Sequence, residues 1–152
     1  MKQIRIKVNK IIERFLVLIL VGMLLNVIWQ VFTRFFTSSP SAFTNELARY
    51  LMIWLGILGA AYISGKQEHV AIDFFVKKLN NSLRRFIDRF VLFSILSFAF
   101  FVMIIGGINL VYITLKLEQY SPSLQIPLAL VYSIIPISGL LIIFYKVTQE
   151  KS

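Results

Sequence analysis

Few residues in this chain can do chemistry, and their spacing restricts what that chemistry would be. Glu46 and Arg49 stand three positions apart, which places them on one face of a helix and lets them pair. His69 and Asp73 are four apart, the separation of one helical turn, which suits either a proton relay or a brace within a loop. His69 is the only histidine and cysteine is absent, so disulfides, thiolate metal sites and cysteine nucleophiles are excluded. A metal site would lack the several imidazoles or thiolates it usually recruits. A Ser-His-Asp hydrolase would have to build its base from that one imidazole. With no further histidine or carboxylate cluster beside His69, neither an enzyme nor a bound cofactor is expected.

The elements that hold these residues are read as membrane helices. Of 152 residues, 58% are hydrophobic and 15% charged, against about half and a quarter in ordinary soluble domains. Crossing ~30 Å of hydrocarbon takes about 20 apolar residues, and four runs qualify, at about 15–32, 40–64, 90–115 and 126–145. Four such spans leave no room for a soluble catalytic domain. The expected fold is all-α, a single membrane domain over 1–152 with four transmembrane helices and amphipathic interfacial segments at about 2–14 and 68–89.

Basic residues set the expected orientation, because short loops rich in Lys and Arg stay cytoplasmic. Lys2, Arg5, Lys7, Lys10 and Arg14 precede the first span, and Lys66, Lys77, Lys78, Arg84, Arg85 and Arg89 lie between the second and third. Only Arg34 and Lys116 fall on the other side. Both termini should therefore be cytoplasmic, with the first span retained as an anchor rather than cleaved. The net charge of +9 flanks apolar runs instead of lining one surface, which points to anionic phospholipid and away from nucleic acid. Between the second and third spans, Ile72, Phe75, Val76, Leu79, Leu83, Phe86, Ile87 and Phe90 recur at helical spacing with Lys77, Lys78, Arg84, Arg85 and Arg89 largely elsewhere, the pattern of a helix lying among headgroups. Ile4, Val8, Ile11, Ile12 and Phe15 repeat that pattern near the start.

Polar and small residues inside the spans need reasons. Glu46 lies near the extracytoplasmic start of the second span, where a charge costs less than at mid-membrane. A local salt bridge with Arg49 and a contact with a partner subunit or lipid headgroup are both open readings. In a self-sufficient, homo-oligomeric transporter or channel, Glu46 would be the ionisable centre. Gly56 and Ala60, with Gly59 and Ala61 beside them, predict close approach of another helix, from this chain or a separate one. Gly22, Asn26, Gln30 and Thr33 form one stripe of the first span, as packing glue or a transport path. The pair Gly106-Gly107 loosens the third span, and Pro136 predicts a kink because it obstructs the carbonyl of Tyr132.

Taken in order, Glu46-Leu47-Ala48-Arg49, Trp54-Leu55, Leu58-Gly59-Ala60-Ala61 and His69-Val70-Ala71-Ile72-Asp73 resemble the hallmark region of the small, DctQ-like permease subunit of tripartite ATP-independent periplasmic (TRAP) transporters. The stretch from Ser121 to Pro127, followed by Pro136, resembles that family's final loop and helix. The resemblance implies a bacterial inner-membrane component of a sodium-coupled secondary transporter for organic acids such as sialic acid or C4-dicarboxylates. In that arrangement a periplasmic substrate-binding protein delivers the acid, and a large permease subunit carries the substrate and sodium sites. The small subunit would be scaffold and partner. On this chain, Glu46, Arg49, Trp54, Gly56, Gly59, Ala60, His69 and Asp73 become expected subunit or lipid contacts, and none becomes a ligand of the transport site.

Overall fold

Within hydrocarbon a backbone must satisfy its own hydrogen bonds, and a run of apolar residues does so most simply as a helix. The computed structural model describes residues 2–37, 42–66 and 81–149. Among these residues every regular element is helical, apart from one isolated bridge between Tyr120 and Pro127. In chain order they are α1 (Lys2–Thr37), α2 (Ala42–Gly65), α3 (Asn81–Ser97), a π-helical segment (Phe98–Gly106), α4 (Gly107–Lys116), α5 (Leu128–Tyr132) and α6 (Ile134–Gln149). Four stretches are long and apolar enough to cross a membrane: Gln3–Phe36, Ala42–Gly65, Arg85–Lys116 and Leu128–Thr148. The expectation of an all-α chain with four spanning helices agrees with this.

The helices outrun the spans read from the sequence. Helix α1 has 36 residues, about 54 Å at 1.5 Å per residue, and has no break where the basic segment meets the first span. Residues 2–14 thus continue the first span instead of forming a separate element. Val8 and Ile12 of its apolar face pack into the core, whereas Ile4 and Ile11 are exposed. Of the segment expected at 68–89, residues 81–89 are the first turns of α3. There Leu83, Phe86 and Phe90 are exposed together with Arg85 and Arg89.

The fourth span is the centre of the bundle. A third of its most apolar stretch is buried, against about a tenth in each of the other three. On one side α6 joins a core of Ile12, Leu58, Ile134 and Tyr145, which links it to α1 and α2. On the other, Ile142 packs with Ala61 of α2 and Ala99 of the π-helical segment. The break in this span falls at Ser133, three residues before Pro136, as the missing proline donor at the Tyr132 carbonyl predicts. The nine-residue π-helical segment ends at Gly106, so the Gly106-Gly107 pair marks the return to α-helical winding. Gly107 meets Pro136 here: a Cβ at Gly107 would stand 2.8 Å from the proline Cδ. The kinked span and the widened one fit together only because position 107 has no side chain.

Hydrogen bonds between distant residues fix which helix ends lie together. Arg5 donates to the Gly65 carbonyl at the last turn of α2, where a cation suits the helix's last carbonyls. The Tyr145 hydroxyl donates to Asn9 Oδ1 at 2.7 Å. The start of α1, the end of α2 and the end of α6 therefore share one end of the bundle. The start of α2 and the connection between α4 and α5 share the other, through the contacts described next.

Candidate functional site

Helix α2 carries six of the eight residues expected to make contacts, and the structure separates those that face inward from those that do not. At its start the Glu46 carboxylate is fully engaged. Its Oε1 accepts from the Tyr50 hydroxyl at 2.9 Å, and its Oε2 accepts from the backbone N–H groups of Ser123 (2.8 Å) and Leu124 (3.1 Å). The Leu124 N–H also leans toward Ser121 Oγ, at 3.3 Å. Ser121 is buried, and Glu118 and Gln125 have positive φ, so the 117–127 connection turns tightly enough to aim adjacent N–H groups at one carboxylate. Sequence reasoning missed this partner. The only signal for it was a loop rich in Ser and Pro lying far along the chain.

Glu46 therefore does not close the local salt bridge read from its spacing to Arg49. Arg49 is exposed and makes no hydrogen bond or ion pair among the described residues. Just below Glu46, Asn26 of α1 donates to the Thr44 carbonyl at 2.7 Å, so the amide of the polar stripe ties α1 to α2. The Thr33 hydroxyl bonds within its own helix, to the Gln30 carbonyl.

Trp54 turns inward. Its indole N–H donates to the Val131 carbonyl at 3.0 Å, beside the break in the fourth span, and its ring lies 6.0 Å from that of Phe15. The small residues divide by face. Leu58 and Ala61 are buried, whereas Gly56 and Ala60 are exposed, and a Cβ at Gly56 or Gly59 would meet nothing within 4 Å. The close approach expected at Gly56 and Ala60 is not made by this chain's own helices. It occurs instead at Gly65 against the Tyr145 ring, at Gly107 against Pro136 and at Gly139 against Met103. His69, Asp73, Lys77 and Lys78 lie outside the described residues, as does the side chain of Arg84.

Two grooves flank α2. One, of about 640 Å³, lies between α1 and α2 and includes Asn26, Trp29, Phe43 and Thr44. The other, of about 350 Å³, includes Phe15, Tyr50, Trp54 and Val131. Neither is lined by a carboxylate or a basic side chain. Ion and acid paths at membrane depth are usually marked by charged side chains, and the polar groups in these walls are uncharged: Asn26 and Thr44 in one, Tyr50 and Trp54 in the other.

Residues 23–149 match the family described as tripartite ATP-independent periplasmic transporters, DctQ component. The chain belongs to this family. A DctQ component is part of a transporter and not an enzyme, and the four apolar helices make this one a multi-pass membrane protein. The chain is 28% identical over 142 residues to a Haemophilus influenzae protein named as a TRAP transporter small permease, covering 93% of this chain and 86% of that one. It is 33% identical over 84 residues to the sialic acid TRAP transporter small permease protein SiaQ of Vibrio cholerae, covering 55% and 49% of the two chains. With the C4-dicarboxylate TRAP transporter small permease protein DctQ of Rhodobacter capsulatus it shares 35% over 102 residues, 66% and 44%. A 62-residue stretch is 37% identical to one tenth of a much longer chain, the sialic acid TRAP transporter permease protein SiaT of Haemophilus influenzae, and covers 41% of this one.

Proposed function

We propose that this chain is the small, non-translocating subunit of a sodium-coupled TRAP transporter in a bacterial inner membrane, acting as a scaffold beside a large permease subunit that moves an organic acid. The observation that carries this reading is the division of α2. One side is locked into the chain through Glu46, Trp54, Leu58 and Ala61, and an adjoining face leaves Arg49, Gly56 and Ala60 exposed. Small residues on a spanning helix allow another backbone to come close, and they gain little from lipid. The match to one tenth of SiaT supports a large partner, since a DctQ-like stretch there sits within a far longer permease. The relatives' names support sialic acid or a C4-dicarboxylate as cargo, delivered by a periplasmic binding protein.

A scaffold must resist tilting while its partner moves. The exposed Arg85 and Arg89, one turn apart, together with Lys77, Lys78 and Arg84, serve as anchors among anionic headgroups, each basic residue near the surface contributing about 1 kcal/mol. These residues, with the basic start of α1, support a cytoplasmic side for both termini. His69 and Asp73 belong to the same cytoplasmic connection and are proposed as contacts there. Glu46 as the ionisable centre of a self-sufficient transporter gains no support from the geometry, because both its oxygens are held by this chain.

Reconstitution tests the proposal. Liposomes holding this chain alone should take up no sialic acid or C4-dicarboxylate. Adding the large subunit and the binding protein should give uptake that needs a sodium gradient. Uptake by this chain alone would overturn the reading.

A further inference from the structure

The outer face of α2 is an ordered seam. Asn45, Arg49, Met52, Gly56, Ala60 and Ile63 are all exposed, and their spacings of four, three, four, four and three are those of a helix packing lengthwise on another. From Asn45 to Ile63 the seam runs about 27 Å, close to the hydrocarbon thickness. The open surface of α1 differs in kind, being broad and uniformly large, with Leu18, Leu24, Leu25, Ile28 and Trp29. That composition suits lipid. A strip with a cation near one end and little bulk at its middle does not.

Resting on the subunit reading above, we infer that this seam receives one apolar helix of the large subunit, and that this helix carries a carboxylate which pairs with Arg49. The argument turns on desolvation. Arg49 sits seven residues into α2, about 10 Å from the helix start. Glu46 makes no ion pair with it, that carboxylate being turned to Tyr50, Ser123 and Leu124. A helix lying on Gly56 would also cover the stem of Arg49 and separate the guanidinium from water and headgroups. A covered guanidinium is strongly destabilising unless paired, and its planar fork matches a carboxylate with two parallel bonds.

The test uses the co-purified pair of subunits. In the Arg49→Lys variant, a carbodiimide joins the new amine to any carboxylate in direct contact, and mass spectrometry locates the join. The expected product links position 49 to an Asp or Glu of the large subunit. A link to this chain's own Glu46, or none in an intact complex, overturns the inference. In parallel, Arg49→Glu should lower the co-purifying large subunit about tenfold or more through like-charge repulsion, with the melting temperature of this chain alone unchanged. Exchanging the located carboxylate for Lys should restore the yield. Loss that no exchange restores, but that follows the content of anionic phospholipid, assigns Arg49 to a headgroup and overturns the pairing. If the wild-type subunits do not co-purify, the subunit reading itself fails. If they do and Arg49→Glu changes nothing, only the pairing fails.

Discussion

Glu46 and Ser123 are 77 positions apart in the chain, yet the carboxylate of one holds the backbone N–H of the other at 2.8 Å. The bond latches the connection between the third and fourth spans onto the start of the second. Glu46→Ala should therefore loosen this latch and lower stability, only modestly because Ser123 is exposed and its N–H can be rehydrated. Thermal unfolding in detergent, with protease sensitivity within 117–127, checks this. Tyr50→Phe removes only the hydroxyl contact and should cost about 1 kcal/mol.

Glycine substitutions should divide by face. Gly107→Ala brings a Cβ to 2.8 Å from a rigid proline ring, and Gly139→Ala brings one to 2.9 Å from Met103 Cβ. Overpacking of this kind costs about 1–3 kcal/mol. Gly56→Ala and Gly59→Ala meet open space and should stabilise the isolated chain by up to about 1 kcal/mol through helix propensity. Melting temperatures of the four variants, measured without the large subunit, give the comparison, and equal losses at all four would contradict it.

The same open face should behave differently in the complex. Ala60→Leu adds bulk where this chain has no neighbour, so the isolated protein should fold normally. Its yield of co-purified large subunit should drop about tenfold, in keeping with overpacking at a close helix contact, which costs about 1–3 kcal/mol. An unchanged yield would move the contact to another face.

Trp54 is expected to stabilise this chain from within. Trp54→Phe keeps an aromatic ring beside Phe15 but removes the donor to the Val131 carbonyl, for a loss of about 0.5–1.5 kcal/mol. The measurement is thermal unfolding of the isolated chain.

At the opposite end, Tyr145 is completely buried, its ring over Gly65 and its hydroxyl on Asn9. Asn9→Ala leaves that hydroxyl without its acceptor and should cost about 1–3 kcal/mol, whereas Tyr145→Phe removes the polar group as well and should cost less. Unfolding midpoints of the two variants decide the order.

Apolar run length, the Lys and Arg asymmetry and the donor missing at Pro136 are properties of neighbouring positions, so the sequence by itself determined four spanning helices, a basic end and a break before Pro136. The motifs around Glu46, Trp54 and Gly59 were likewise enough for the family. Local spacing misled where side chains had distant alternatives: Glu46 prefers two fixed backbone N–H groups to a flexible neighbour on its own helix. The close approach read at Gly56 was open to a helix of this chain or of another, and this chain's own tight glycine contacts among the described residues are at Gly65, Gly107 and Gly139. Only the tertiary structure decided which face of α2 is closed by Val131 and Ser123 and which stays open. Periodicity shows that a helix has two faces. Which one is covered depends on segments 77 residues away and on how the π-helical segment and α6 interlock.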